Sequence, residues 1–264
     1  MVGFVSPLFC SSRYAHQIRS LGVSVTASTR GGAAARGAAA GEPPLFADDV
    51  WPGARALSDY LDAHAGELCT GRSVLELGAG AALPSLCACK LGARICVATD
   101  YPGTDVVENI SRQFAANGIE ASQAVARAFV WGEDTAPLLE ISKGDGFDTV
   151  LMSELLWKDT KALHAALLGS LKTLLAPRGI ALISVVHRPT ATHRVDDDLE
   201  FFRLASREFG LAVTPLGQSR TVYGDALSGG AEESDGQQQQ QVWLFAINNN
   251  GERAINEIGY LARS

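Results

Sequence analysis

The short apolar run Ser73-Val74-Leu75-Glu76-Leu77 passes directly into Gly78-Ala79-Gly80, and a stretch of helical character follows from about Ala82 to Leu91. A buried strand, a glycine turn and a helix in that order commit the chain to a crossover unit, because the helix has to pack back onto the sheet its strand belongs to. The turn also marks a place. In an open parallel sheet, ligands sit beyond the carboxyl ends of the strands, where glycine lets the backbone approach a bound group closely. The next strand, Arg94 to Thr99, ends at Asp100, 22 residues beyond Gly78. A carboxylate there can accept hydrogen bonds from both hydroxyls of a ribose.

The rest of the chain repeats the alternation. Leu57, Tyr60, Leu61, Ala65 and Leu68 fall at helical spacing over Gly53 to Leu68, and Val106, Val107, Ile110 and Phe114 do so over Thr104 to Asn117. Val125 to Trp131, Phe147 to Ser153 and Ile180 to Val186 read as a third, fourth and fifth strand. Leu163, Leu167, Leu171 and Leu175 mark a helix between the last two, Leu199 to Phe209 marks another, and Val213–Leu216 and Val242–Ile247 read as a closing strand pair. The pattern predicts a single α/β domain over 42–250, with a mainly parallel sheet covered on both faces and a C-terminal antiparallel pair. A hydrophobic content of 47% over 264 residues is enough to fill such a core. No apolar run approaches the ~20 residues of a membrane-spanning helix.

Charge and composition set the flanks apart. Residues 1–41 hold Arg13, Arg19, Arg30 and Arg36 and no acid, so the remainder carries −11 against −7 for the whole chain. That Ser/Ala/Gly-rich, acid-free segment is expected to be a disordered tail or a transit peptide. The stretch 228–241, with Gly229-Gly230 and five glutamines, is expected to be a flexible insertion, and 251–264 a C-terminal tail. The acidic body argues against a nucleic-acid partner. Cys10, Cys69, Cys87, Cys89 and Cys96 contain no CxxC pair, which fits buried thiols in a reducing compartment and no metal. The cytoplasm is the expected location, with organellar import open through the N-terminal segment.

The glycine loop has competitors. A dinucleotide fingerprint, G-x-G-x-x-G/A, needs a small third residue for close helix packing, and Leu83 stands there. A phosphate-binding GxxxxGK[ST] loop is absent. Glu76, just before the loop, suits a cationic amino-acid cofactor better than a dinucleotide.

Beyond the loop, further blocks occur in order: Leu45-Phe46-Ala47 to Val50-Trp51, Thr99-Asp100-Tyr101-Pro102, Trp131-Gly132, Phe147-Asp148, Ser153-Glu154-Leu155-Leu156-Trp157 and His187-Arg188-Pro189. With them the chain resembles the seven-stranded, Rossmann-like class I methyltransferases. Within these it is most similar to the methyltransferase-21-like group and its nicotinamide N-methyltransferase-like branch, which includes the fungal enzyme that methylates the N-terminal region of elongation factor 1-alpha. The resemblance implies S-adenosylmethionine as cofactor. It implies that Gly78, Ala79 and Gly80 approach its methionine part, Asp100 binds its ribose, and Trp131 packs beside its adenine. It places the Ser153 backbone near its amino group and has Trp51 close it from the N-terminal side. Glu154 and Trp157 depart from the family's usual Asp and Phe or Tyr. They stand where the substrate amine enters, and are expected to orient it and hold its alkyl stem, with His187 at the same mouth.

The expected reaction is direct attack of a neutral amine on the sulfonium methyl, by a monomer acting on a protein lysine or N-terminal amine. Elongation factor 1-alpha is a candidate substrate, and no nucleic acid or membrane is involved. A small-molecule amine methyltransferase and a non-catalytic cofactor-binding adaptor are the alternatives.

Overall fold

The computed structural model describes residues 15–18, 21–26, 50–102, 105–188, 195–223 and 238–249. Cys10, the Leu45-Phe46-Ala47 block, Pro189 and the expected tail over 251–264 lie outside them. A hairpin comes first, β1 (Ala15–Ile18) and β2 (Val23–Thr26), followed by α1 (Pro52–Ala63) and α2 (Ala65–Leu68). The alternation then runs β3 (Ser73–Leu77), α3 (Leu83–Lys90), β4 (Ile95–Asp100), α4 (Val106–Ala116), β5 (Ala124–Ala128), α5 (Ala136–Ser142) and β6 (Phe147–Ser153). After β6 come a 3₁₀ turn (Lys158–Leu163), α6 (His164–Leu174), β7 (Leu175–Val185), α7 (Val195–Phe209), β8 (Ala212–Tyr223) and β9 (Gln238–Asn248).

The sheet order is β5-β4-β3-β6-β7-β9-β8. All pairs from β5 to β7 are parallel, and β9 runs antiparallel to both β7 and β8. This is the seven-stranded sheet with a closing antiparallel pair that the sequence predicts. Strand order reverses beside β3, which has β4 on one side and β6 on the other, and such a reversal opens a crevice at the carboxyl ends of those strands.

Side-chain alternation along each strand fills two cores. Val74 of β3, Leu151 of β6 and Leu182 of β7 face one layer with Leu57 and Leu61 of α1, Leu86 of α3 and Ile110 of α4. Their neighbours Leu75, Val150, Met152 and Ile183 face the other, with Leu167 and Leu171 of α6 and Phe201 and Phe202 of α7. Each such fully buried side chain stabilises the fold by about 1.5–3 kcal/mol. Together they hold the strand ends of the crevice rigidly.

Three expectations are corrected. Part of the expected tail over 1–41 is built into the domain: Val23 and Val25 are fully buried in the α3–α4 core. Ser24 between them donates its N–H to Asn117 Oδ1 at 2.9 Å and accepts from Asn117 Nδ2 at 2.7 Å. The Val-Ser-Val-Thr alternation after Gly22 is a strand pattern that the low-complexity sequence around it hides. The expected insertion over 228–241 overlaps β9: Gln238 to Gln241 pair in register with Tyr223 to Arg220. A long hairpin partner supplies the ladder that glutamine alone would not nucleate. The helix expected over Gly53–Leu68 breaks at His64, where the backbone leaves helical geometry and the imidazole stacks on Tyr60 at 4.1 Å.

Candidate active site

A cavity of about 410 Å³ opens at the strand reversal, within the roughly 300–1,000 Å³ typical of small-molecule sites. Its floor is the loop after β3. Gly78 has a φ of +65°, which favours glycine, and a Cβ there would stand 2.5 Å from Leu155 Cδ2, so any larger residue would require that side chain to shift. Ala79 N–H donates to Thr99 O at 2.8 Å, which ties the loop to the end of β4. Gly80 N–H donates to Asp100 Oδ2 at 2.7 Å, and Tyr101 N–H to Asp100 Oδ1 at 2.7 Å. Burial raises the Asp100 pKa above its ordinary value, while these two N–H groups oppose the rise. Each carboxylate oxygen keeps acceptor capacity for a further donor.

Around this floor stand Phe129, Val130 and Trp131 after β5, Ser153 at the end of β6 with Glu154 and Leu155 beyond it, and Val50, Trp51 and Ala54 at the start of α1. Trp51 and Trp157 meet edge to face, with ring centres 5.3 Å apart and planes at 75°. The expected residues Trp51, Gly78, Ala79, Gly80, Asp100, Trp131, Ser153, Glu154 and Trp157 all line this one cavity.

Three expected roles do not survive the geometry. Glu76 is fully buried and does not line the cavity. It lies on the strand face turned toward α3, where its Oε2 accepts from Ser85 N–H at 3.0 Å and from the Ser85 hydroxyl. Desolvation raises its pKa to about 8, against those two hydrogen bonds. The strand's alternation, which puts Leu75 and Leu77 on the opposite face, sends Glu76 into the helix layer instead of the crevice.

Glu154 lines the cavity, yet its carboxylate has protein partners. Oε1 accepts from the Gly53 N–H, and Oε2 is ion-paired with Arg188. The carboxylate therefore does not stand open to an incoming amine. Desolvation raises its pKa, with Arg188 and Gly53 opposing. Its backbone is also unusual for a non-glycine residue, with a φ of +52°. That geometry costs roughly 1–2 kcal/mol and persists where the surroundings over-determine it. Here Glu154 N–H donates to Ser184 O at 2.9 Å, and Glu154 O accepts from the Trp157 indole. His187 also has a partner: its Nδ1 lies 2.7 Å from Oδ2 of buried Asp198, and it does not line the cavity.

Tyr101 and Leu163, 41% and 44% exposed, stand at the mouth and received no role from the sequence. Tyr101 was legible as the residue after Asp100 in the Thr-Asp-Tyr-Pro block. Leu163 carried only a helix-spacing signal. Among the described residues, no His, Cys, Asp or Glu group is arranged to hold a metal.

The comparisons with known proteins decide the family. A model of the lysine methyltransferase family matches residues 43–208, most of the domain and all of the cavity loops. The chain is a member of the lysine methyltransferase family. Among its relatives, the protein N-terminal and lysine N-methyltransferase EFM7 of Eremothecium gossypii is 41% identical over 188 residues, covering 67% of this chain and 68% of that one. EFM7 of Yarrowia lipolytica is 36% identical over 189 residues, covering 66% and 68%. The chain thus spans about two thirds of the length of these relatives. In fold it is similar to an O-methyltransferase from Bacillus cereus solved in complex with SAH, at a TM-score of 0.52 and 15% identity over 77% of this chain and 84% of that one.

The methyl donor of this methyltransferase is S-adenosylmethionine, and the residues present fit it. Asp100 offers a carboxylate for ribose hydroxyls, and Phe129, Val130 and Trp131 give an apolar wall for adenine. Gly78, Ala79 and Gly80 line the same cavity with no side chain larger than a methyl.

Proposed function

We propose that this methyltransferase transfers a methyl group to an amine of a protein, either a lysine side chain or an N-terminal amine, with elongation factor 1-alpha as the candidate substrate. The observation that carries the reading is the Trp51–Trp157 pair. It sets an aromatic wall against the same cavity that presents Asp100 and the glycine loop. An aromatic wall suits the alkyl stem of an amine. The acidic body of the chain suits a basic protein partner. EFM7 of Eremothecium gossypii is named for N-terminal and lysine methylation, and the sequence resemblance to the elongation-factor branch makes elongation factor 1-alpha the candidate to test. Buried, unpaired Cys69, Cys87, Cys89 and Cys96 suit a reducing compartment such as the cytoplasm.

S-adenosylmethionine supplies an electrophilic methyl on a sulfonium centre. The protein's task is to align the amine, and alignment of this kind can contribute ~7–11 kcal/mol. The loop after β3, Asp100, Trp51, Ser153 and Trp157 line the one cavity in which that alignment would take place. The amine has to arrive neutral. A lysine, with a pKa of ~10.4, is neutral about one time in a thousand near pH 7.4. An N-terminal amine, lower by roughly 2.5 units, is easier by about 3.4 kcal/mol. The test is intact-mass and peptide mapping of elongation factor 1-alpha incubated with the full chain and S-adenosylmethionine, beside a panel of metabolite amines. A gain of methyl mass on the protein supports the proposal. Methylation of metabolites alone, or cofactor binding without turnover, replaces it with one of the alternatives.

A further inference from the structure

Arg188 follows β7 and does not line the cavity, yet it reaches the Trp51–Trp157 pair that does. Its guanidinium carbon lies 4.5 Å from the Trp157 ring centre and 5.4 Å from that of Trp51. The same guanidinium is ion-paired with Glu154, and its Nη2 donates to Gln240 Oε1 of β9 at 3.4 Å. Glu154 passes the connection on, because its other oxygen holds the Gly53 N–H in the first turn of α1. Gly53 can come this close only without a side chain: a Cβ there would lie against Glu154 Cγ and 2.7 Å from Ser184 Oγ.

Four segments far apart in the chain therefore meet at one cation. They are the start of α1, the loop after β6, the end of β7 and β9. Glu154, whose backbone is strained, reaches both Gly53 and Arg188 through its side chain. Arginine suits the position better than lysine does. Its planar guanidinium can stack on indole rings while its fork engages a carboxylate, and it stays charged at any working pH.

We propose that Arg188 is a positioning residue for methyl transfer. It clamps Trp51 against Trp157 and neutralises Glu154, and so fixes the aromatic wall along which the substrate amine is placed. Its substrate arm rests on the proposed protein-amine activity; its structural arm does not. Losing the clamp frees the segment around Trp51 and Gly53, while Asp100 and the glycine loop remain in place.

The test uses the full chain and its Arg188→Met and Arg188→Lys variants, with three readouts. Hydrogen exchange over residues 50–57 reports the Gly53 amide, acrylamide quenching reports indole exposure, and steady-state kinetics separate KM from kcat. The expected result for Arg188→Met is faster exchange over 50–57, greater quenching and a protein-substrate KM raised about tenfold. Arg188→Lys should fall between the two. A fraction of misfolded enzyme lowers kcat and leaves KM where it was, so the KM shift separates positioning from mere loss of protein. Unchanged exchange and unchanged KM in folded Arg188→Met overturn the proposal. If that variant does not fold, parental exchange and KM in Arg188→Lys overturn it, and raised values support it. Should the parent methylate no protein amine, the functional proposal fails, and exchange and quenching still decide whether the clamp exists.

Discussion

The Gly80 N–H donates to Asp100 Oδ2 at 2.7 Å, joining the turn after β3 to the carboxylate that ends β4. The two features that were separate in sequence are thus one object. The glycine loop orients the carboxylate, and the carboxylate holds the loop. Burial raises the Asp100 pKa, while ribose hydroxyls donate best to its ionised form. Cofactor affinity is therefore expected to be full above that pKa and to weaken as pH falls through it, at a higher pH than the ~3.9 of an ordinary aspartate. Titrating S-adenosylmethionine across an acidic pH series should show this decline. Asp100→Asn should bind more weakly and without the slope, and an identical slope in the variant would assign it to another group.

Glu76 carries a stability cost that grows with pH. Its ordinary pKa of 4.5 is raised to about 8 in the fold, chiefly by desolvation. Below 4.5 the folded and unfolded chains both hold the proton, and the group contributes nothing. Between 4.5 and 8 the unfolded chain releases the proton and the folded chain keeps it. Stability then falls by about 1.4 kcal/mol per pH unit and levels off above that window. Glu76→Gln removes the titration. Its melting temperature relative to the parent should rise as pH is taken upward through the window, whatever the offset at the acid end. A difference that does not vary with pH contradicts this assignment.

Gly53→Ala should lower both stability and substrate use. The added methyl meets Glu154 Cγ and Ser184 Oγ, the latter at 2.7 Å, and overpacking of this kind costs about 1–3 kcal/mol. Calorimetry should register a fall of several degrees, since about 1 kcal/mol moves the midpoint by roughly 2–4 °C at this domain size. A parental midpoint would mean that α1 shifts freely away from β6.

Deleting residues 1–41 should destabilise the domain. Val23 and Val25 are each fully buried, and removing such side chains uncovers apolar surface at about 1.5–3 kcal/mol apiece. The 42–264 chain should melt well below the full chain, and Asn117→Ala in the full chain should reproduce part of the loss. Equal melting of the two chains would contradict the packing of the hairpin.

What the sequence conveyed, and what it hid, follows one physical division. Strand periodicity and the glycine turn placed β3, β4, β6 and β7 and the whole cavity floor, because backbone geometry there depends on neighbours close in the chain. Trp51, Trp131, Ser153 and Trp157 were found through family-like blocks and do line the cavity. The orientation of Glu76 and the partners of Glu154 were not legible. The first turns on which face of β3 meets α3. The second turns on Gly53 and Arg188, 101 and 34 residues away in the chain. The β1–β2 hairpin was hidden for a similar reason: two valines become core only once Asn117 and α3 are there to receive them.

The most direct measurement is isothermal titration of the full chain with S-adenosylmethionine, with NAD in parallel and with Asp100→Ala as the paired variant. Micromolar binding of S-adenosylmethionine that is weakened at least about tenfold in Asp100→Ala, with no heat from NAD, is the predicted result. Binding of NAD instead, or S-adenosylmethionine binding indifferent to Asp100, would contradict the assignment of the β3–β6 crevice as the methyl-donor site.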